Sequence, residues 1–493
     1  VPAGTTVLEA ARDAGIKIPS LCFLKDVNEI GACRICVVEV EGARSLMASC
    51  VYPVSEGMVV RTNTPKVRHS RQLTLELILS NHRMDCLTCS RNAQCELRQL
   101  AADLGIDAVR YANDELLPRI EDTALHLVRD NSKCILCRRC VATCRKLQEV
   151  GVIGTNDRGF NTHIGCAFDR DLAEVDCVSC GQCLVSCPFG AIVDKSQIYQ
   201  VIRSMLEGNE VVAIVAPSFV GQFGKDVTVP KFLTAMKQLG FADVVEVAVG
   251  ADICTIEEAR DFMEKVPEEQ RFMATSCCPS WRMMARRLFP AESGNISMTY
   301  TPMIYTARLV KHTHPGSKVV FIGPCAAKKL EAMQQELRSD VDFVLTYEEL
   351  MGIFEAKAID FSQLPDTDDL HDASGLGRGF AAAGGVAAAV EEVLRRTQPD
   401  MEVKIQRADG LRECRRLLTL AKAGKFDGYL LEGMACPGGC VAGAGTIIPA
   451  EAAKKQLDAH AKQATLFSCA ESPYRAFAGL LEEPAAREEE TKR

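Results

Sequence analysis

Cys134-Ile-Leu-Cys137-Arg-Arg-Cys140-Val-Ala-Thr-Cys144 recurs further along the chain as Cys177-Val-Ser-Cys180-Gly-Gln-Cys183-Leu-Val-Ser-Cys187-Pro188. Both copies follow C-x2-C-x2-C-x3-C, the two-cluster ferredoxin spacing in which the fourth Cys of each copy ligates the other cluster. Crossed ligation puts one 4Fe–4S centre on Cys134, Cys137, Cys140 and Cys187. It puts a second on Cys177, Cys180, Cys183 and Cys144. The first copy has Arg145 where the second has Pro188, a minor departure. Residues 126–204 are therefore expected to form a ferredoxin-like α+β domain.

Two further cysteine zones precede the repeat. Cys22, Cys33, Cys36 and Cys50 lie around the tight Gly31-Ala32-Cys33-Arg34-Ile35-Cys36 loop. A helix-like Val7 to Ala14 and a strand-like Val37 to Val40 suggest a small β-grasp fold over residues 1–64. One CxxC pair with widely spaced outer cysteines favours a 2Fe–2S cluster over zinc, although the spacing is not plant-type. The chain opens Val-Pro-Ala-Gly, without an initiator Met, and reads as starting inside this domain. Next, His82-Arg-Met-Asp-Cys86-Leu-Thr-Cys89 and Cys95 make a complete four-ligand set within residues 65–125. Imidazole in place of one thiolate removes a negative charge and should raise a cluster's potential, while spacing alone leaves a Cys3His zinc site open.

Composition narrows the class. A 493-residue chain with 47% hydrophobic and 25% charged residues can bury several cores. The net charge of −8 argues against a broad nucleic-acid footprint. No run of 18 apolar residues exists, so no membrane span is expected. The 24 cysteines, with one Trp and clustered short spacings, read as metal ligands rather than disulfide staples. Reduced thiols in that number point to a cytoplasmic setting.

Beyond residue 205 the texture becomes α/β. Val211–Ala216, Val244–Val249, Lys318–Ile322 and Val341–Leu345 read as strands of a largely parallel sheet. Lys231–Leu239, Ile256–Lys265, Met283–Leu288 and Ala326–Leu337 read as helices. Three cysteine motifs punctuate this region: Thr275-Ser276-Cys277-Cys278-Pro279-Ser280-Trp281, Gly323-Pro324-Cys325-Ala-Ala-Lys328-Lys329-Leu-Glu331, and Glu432-Gly-Met434-Ala-Cys436-Pro-Gly-Gly-Cys440. Each follows an apolar run, so each should emerge at the carboxyl end of a strand, where ligand sites of open α/β sheets gather. The domain is assigned residues 205–475, and 476–493 are expected to be a charged tail.

TSCCPxW, PCxxKxxE and ExMACxGGC, together with the upstream zones, resemble the FeFe hydrogenases in their long form with four accessory clusters. The resemblance implies an α/β catalytic domain that interconverts H2 with protons and electrons at an H-cluster. Cys278, Cys325, Cys436 and Cys440 would hold its 4Fe–4S part. Cys440 would bridge to a diiron subcluster with CO, cyanide and a dithiolate amine. Lys328 would donate to one cyanide and the Ala216-Pro217-Ser218 turn would cradle the other, with Met434 beside the cluster. Cys277 would pass protons to the amine, supplied along Glu258, Asp261 and Ser297. Glu258 and Asp261 are three apart on one helix face, and Asp261 stands where the family usually has Glu. Counted in full, the cofactors would be the H-cluster, three accessory 4Fe–4S clusters and one 2Fe–2S cluster. A ferredoxin or another redox protein would exchange electrons, and dedicated maturation enzymes would install the diiron unit.

Several positions depart from the best-known members. Gly323 replaces Met, Met303 replaces Gln, and Gly443-Ala444-Gly445-Thr446 replaces Gly-Gly-Gly-Gln. The pattern is closer to the branch often called group B. Gly323 and the altered last loop suggest a low-turnover hydrogen sensor as a second reading, against which Cys277 is present. A pure electron-transfer subunit or an iron–sulfur assembly factor would lack, respectively, the three late motifs or the long N-terminal relay. Cys166, Cys254, Cys414 and Cys469 are expected to be ordinary thiols.

Overall fold

A computed structural model describes residues 1–111, 120–366, 370 and 373–481. The expected charged tail therefore lies, from residue 482 onward, outside the described residues. The chain forms two compact units, one of residues 1–177 and 182–195, the other of residues 178–181 with 196 onward.

The first unit is built from short pieces. Thr6 accepts the Glu9 amide and Glu9 reaches back to Thr6, a reciprocal cap that starts the helix Val7–Asp13. Its Val7 and Leu8 pack on Val38 and Val40 of the strand Val37–Val40. That strand sits between Met47–Ala48 and Val60–Arg61 in an antiparallel sheet. The helix Pro65–Ser80 begins with Thr64 as cap and Pro at its first position, where no amide donor is missed. Ile120–Glu121, Leu127–Asp130 and Ile192–Asp194 form a second antiparallel sheet, with Leu127–Asp130 in the centre. Ile153–Asn156 and His163–Cys166 form a hairpin between the two cysteine repeats.

The second unit is α/β. A parallel sheet has the order Asp243–Glu246, Val211–Val215, Lys318–Gly323, Phe343–Thr346. Every residue of Val211–Val215 is buried because both faces are covered. Val211, Ala213 and Val215 face a core with Phe219, Phe232 and Tyr347. Val212 and Ile214 face Phe321, Ile304 and Ala307. A second parallel sheet runs Met273–Ala274, Tyr429–Met434, Lys404–Asp409.

Two sequence expectations need correction. The strand expected over Val244–Val249 ends at Glu246, and Val247 opens a 19-residue helix, Val247–Lys265. The run Val-Val-Glu-Val-Ala-Val-Gly-Ala is buried throughout, and apolar periodicity does not separate a buried strand from a buried helix there. The helix expected over Ala326–Leu337 is only Ala327–Ala332, followed by turns. The helix expected over Ile256–Lys265 is the C-terminal part of Val247–Lys265 and so begins nine residues early. Val37–Val40 is as expected, and the other elements differ by one to four residues at an end, as helix Pro279–Leu288 does.

Candidate active site and cluster sites

Each late cysteine motif leaves the C-terminal end of a parallel strand. Cys277 and Cys278 follow Met273–Ala274, Cys325 follows Lys318–Gly323, and Cys436 and Cys440 follow Tyr429–Met434. The five cysteines line one mostly apolar cavity with Lys328, enclosing about 840 Å3 of empty space including its mouth. Cys278 occupies the cap position of the helix Pro279–Leu288. The Trp281 indole N–H donates back to the Thr275 carbonyl at 2.9 Å, closing the loop that displays Cys277 and Cys278. Glu432 accepts the amides of Gly384 and Ala387 at 2.6 and 2.8 Å, fixing the strand end that carries the last two cysteines.

The electrostatics fit a bound cation cluster. Burial pushes the Cys325 thiol up to about 11, with Cys278 adding to the rise. Burial and then the neighbouring thiolates drive Cys436 and Cys440 up as well. Thiolates crowded in a dry cavity are costly unless a metal neutralises them, which is the chemistry of an iron–sulfur site. The donor set fits a cubane on Cys278, Cys325, Cys436 and Cys440. Cys180 also lines this cavity and adds to the upward push on Cys436, a role the sequence reading did not give it.

Lys328 stands at the cavity wall, and its ammonium is already engaged. Nζ donates to Glu331 at 2.6 Å, Thr301 at 3.1 Å and the Cys277 carbonyl at 3.4 Å. Burial lowers its pKa, but Glu331 outweighs that, and the net shift is upward, so Lys328 stays charged. Glu331 stood in the quoted motif, three residues on and hence on the same helix face; Thr301 had no sequence signal. Ala216 and Pro217 line the cavity. Ser218 turns away, its hydroxyl bonded to Tyr347 at 2.8 Å while Tyr347 also donates to the Ala216 carbonyl at 3.0 Å. Met303 and Met434 line the cavity. Gly323 does not: a Cβ there would lie 2.5 Å from the Phe321 ring, which forms that part of the wall.

Glu258 is fully buried on the helix Val247–Lys265, and its Oε1 accepts the Ser276 amide at 3.4 Å. Burial pushes its carboxyl up to about 7, against the stabilising Ser276 amide and Ser297 hydroxyl. Burial, then the Glu258 charge, likewise pushes Cys277 up. Glu258 is thus within reach of both Ser297 and Cys277. Asp261 instead pairs with Lys265 at 2.9 Å on a partly exposed turn. Of the thiols without an assigned role, Cys166, Cys254, Cys414 and Cys469 are all buried; Cys254 adjoins Glu258.

In the first unit the four early cysteines are buried together. The Cys33 amide lies 3.5 Å from Cys22 Sγ, and the sulfurs of Cys36 and Cys50 are 3.3 Å apart. Thiol–thiol contact pushes Cys22 and Cys50 up and holds Cys33 and Cys36 at about 6. Four buried thiols in such contact form a donor set that fits a 2Fe–2S cluster. Cys134, Cys137, Cys140 and Cys187 line one cavity, in the crossed combination that the repeat dictates. Another is lined by His82, Cys86 and Cys95, and His82 Nδ1 is buried without a hydrogen-bond partner among the described residues. Cys89 is not in that lining; its Sγ would be 2.8 Å from a Cβ at Gly190. Among the described residues no helix is long and apolar enough to cross a membrane.

Comparison with known proteins agrees with this division. Residues 209–444 match the family described as iron only hydrogenase large subunit, C-terminal domain. Residues 1–65 match a 2Fe-2S iron-sulfur cluster binding domain, 71–110 the NADH-ubiquinone oxidoreductase-G iron-sulfur binding region, and 133–191 a 4Fe-4S dicluster domain. The NADP-reducing hydrogenase subunit HndD of Solidesulfovibrio fructosivorans is 34% identical, over 90% of this chain and 86% of its own. Iron hydrogenase 1 of Clostridium pasteurianum is 31% identical over the same shares. A solved [FeFe]-hydrogenase, studied for oxygen inactivation of its H cluster 2Fe subcluster, shares the fold at 20% identity and a TM-score of 0.50. That match covers 59% of this chain and 96% of the solved one. On this evidence the chain belongs to the iron-only (FeFe) hydrogenase family, an oxidoreductase with an H-cluster domain joined to 2Fe–2S and 4Fe–4S electron-transfer domains.

Proposed function

We propose that the protein catalyses reversible H2 oxidation and proton reduction. On this reading its electrons pass through one 2Fe–2S and three accessory 4Fe–4S clusters, on the ligand sets and domain ranges given above. The single observation that carries the reading is that Cys278, Cys325, Cys436 and Cys440 share one buried cavity with Cys277 and Lys328. When bound there, the H-cluster supplies the iron chemistry that makes or splits H2. The chain's own residues do the rest. Cys278, Cys325, Cys436 and Cys440 hold the cubane, and the apolar lining excludes water. Lys328, pinned by Glu331 and Thr301, presents a fixed positive charge at the wall. Cys277 Sγ holds the proton nearest the reacting site, and the Glu258 carboxyl, poised near neutrality, resupplies it with Ser297 alongside. Asp261 is the outer member, and its link to Lys265 must open for it to take part.

A ferredoxin in the cytoplasm is the proposed electron partner, and maturation enzymes install the diiron unit. A competing reading is favoured by the 34% identical relative, whose name makes it a subunit of an NADP-reducing hydrogenase. In that case a flavin-bearing partner subunit would exchange the electrons. Anaerobic assays of the matured protein distinguish them. H2 evolution driven by reduced ferredoxin alone supports the first, and activity that requires a co-purified subunit and NADP(H) supports the second. No H2 chemistry with any donor refutes both.

A further inference from the structure

Five arginines are buried among the described residues: Arg71, Arg129, Arg139, Arg308 and Arg378. Four have a carboxylate: Arg129 pairs with Glu121 at 3.6 Å, Arg139 with Glu96 at 3.3 Å, Arg308 with Asp340 at 3.1 Å and Arg378 with Glu246 at 3.0 Å. Arg71, only 5% exposed, forms no ion pair with a carboxylate among the described residues. Its Nε donates to the Ile35 carbonyl at 3.1 Å and its Nη2 to the Val37 carbonyl at 2.8 Å. These two carbonyls flank Cys36.

The two carbonyls accept two of the guanidinium's five N–H groups without neutralising its charge. Removing a cation from water costs several kcal/mol even after relaxation, so a buried guanidinium calls for a nearby anion. The two carbonyls that Arg71 grips place its guanidinium beside Cys36, which lies between them and is a ligand of the expected cluster. A 2Fe–2S cluster in four thiolates is anionic in both of its redox states, and more so after it takes an electron. The helix Pro65–Ser80 carries Arg71, and its Leu75 and Leu79 pack in one cluster with Cys22, Cys33 and Ile35. Helix packing therefore fixes where the guanidinium sits. A rigid fork suits the two flanking carbonyls in a way that a lysine ammonium does not.

We propose that Arg71 is the buried counter-charge of the 2Fe–2S cluster, a positioning residue that grips the chain on both sides of Cys36 and raises that cluster's reduction potential. The proposal rests on reading Cys22, Cys33, Cys36 and Cys50 as the ligands of that cluster. Net charge and hydrogen bonding at the ligand loop are among the factors that set iron–sulfur potentials. In each cycle one electron enters the cluster from the redox partner and one leaves towards the next cluster. Arg71 binds and releases no proton, because it stays charged in both states.

The test is an anaerobic redox titration of the full chain with its clusters, following the 2Fe–2S signal by electron paramagnetic resonance. In Arg71→Gln the oxidised-to-reduced ratio at a fixed ambient potential should rise at least about tenfold, a downward shift of about 59 mV for this one-electron couple. Arg71→Lys keeps the charge but loses the fork, and its ratio should stay within about threefold of the unsubstituted protein. The 4Fe–4S signals in the same samples should not move. An unmoved potential in Arg71→Gln overturns the proposal. So does an Arg71→Lys protein that shifts as far as Arg71→Gln or loses the cluster, which leaves a structural clamp alone. If Arg71→Gln assembles no cluster, Arg71→Lys decides by the same criterion. Absence of any 2Fe–2S signal in the unsubstituted protein would instead refute the ligand assignment, and the proposal with it.

Discussion

Replacing Glu258 with Gln should move activity and stability in opposite directions. Gln keeps the volume and the oxygen that accepts the Ser276 amide at 3.4 Å, so the loop before Cys277 stays in place. It cannot carry a proton. A fixed general acid or base is worth roughly 10²–10⁴ in rate, so H2 production by Glu258→Gln should fall by at least about a hundredfold at pH 7. Stability follows from burial, which raises the carboxyl from 4.5 to about 7. Below pH 4.5 the carboxyl is protonated in both folded and unfolded chains, and the substitution costs little. Between 4.5 and about 7 the unfolded chain ionises first, so the wild-type protein loses stability as pH rises. Above about 7 the loss is complete and amounts to about 3 kcal/mol, which Gln avoids. Thermal melts of both proteins from pH 5 to 8, with H2 measured by gas chromatography on the same samples, provide the assay. The mutant should melt higher above pH 7, and its advantage should shrink steadily as pH falls towards 5. Near-wild-type H2 production, or a melting difference that does not change with pH, would refute the placement of Glu258 as a buried relay acid.

Cys277→Ala should retain the cofactor, seen by infrared spectroscopy, while turnover falls at least about a hundredfold. H2 production by the unsubstituted protein should decline as pH rises through about 7, where Glu258 loses its proton, and H2 uptake should not decline there. Glu349→Ala removes the carboxylate that pairs with buried Lys329 at 2.8 Å and accepts the Thr346 amide at 2.7 Å, and should cost about 1.5–3 kcal/mol in chemical denaturation, because buried charge-assisted hydrogen bonds are lost. Gly323→Ala forces a Cβ to 2.5 Å from the Phe321 ring and should destabilise by about 1–3 kcal/mol while displacing that part of the cavity wall. The shifted infrared bands of a bound cofactor would report the displacement.

Ligand chemistry was the legible part of the sequence. The crossed set Cys134, Cys137, Cys140 and Cys187 follows from spacing alone, since the repeat permits few other pairings, and these four line one cavity. Strand ends were legible wherever an apolar run stopped at a Gly or Pro, as at Gly323-Pro324. Val247 to Val249 was misread because a helix buried on all sides has no polar stripe to give a period. The network around the site was illegible for a different reason. Thr301 and Tyr347 lie far from the cysteines in sequence and meet the site only through the fold, so no local pattern marks them. Asp261 shows the converse: its spacing from Glu258 placed both acids on one face, but the partly exposed end of that face gives it Lys265 as a closer partner.

The central claim is that the thiols of 278, 325, 436 and 440 together hold an H-cluster in the cavity that they line. Infrared spectroscopy of the protein co-expressed with the maturation enzymes tests it most directly. Sharp CO and cyanide bands are expected in the unsubstituted protein and should be lost in Cys440→Ser. A matured protein with no such bands, or bands that survive intact in Cys440→Ser, would contradict the account.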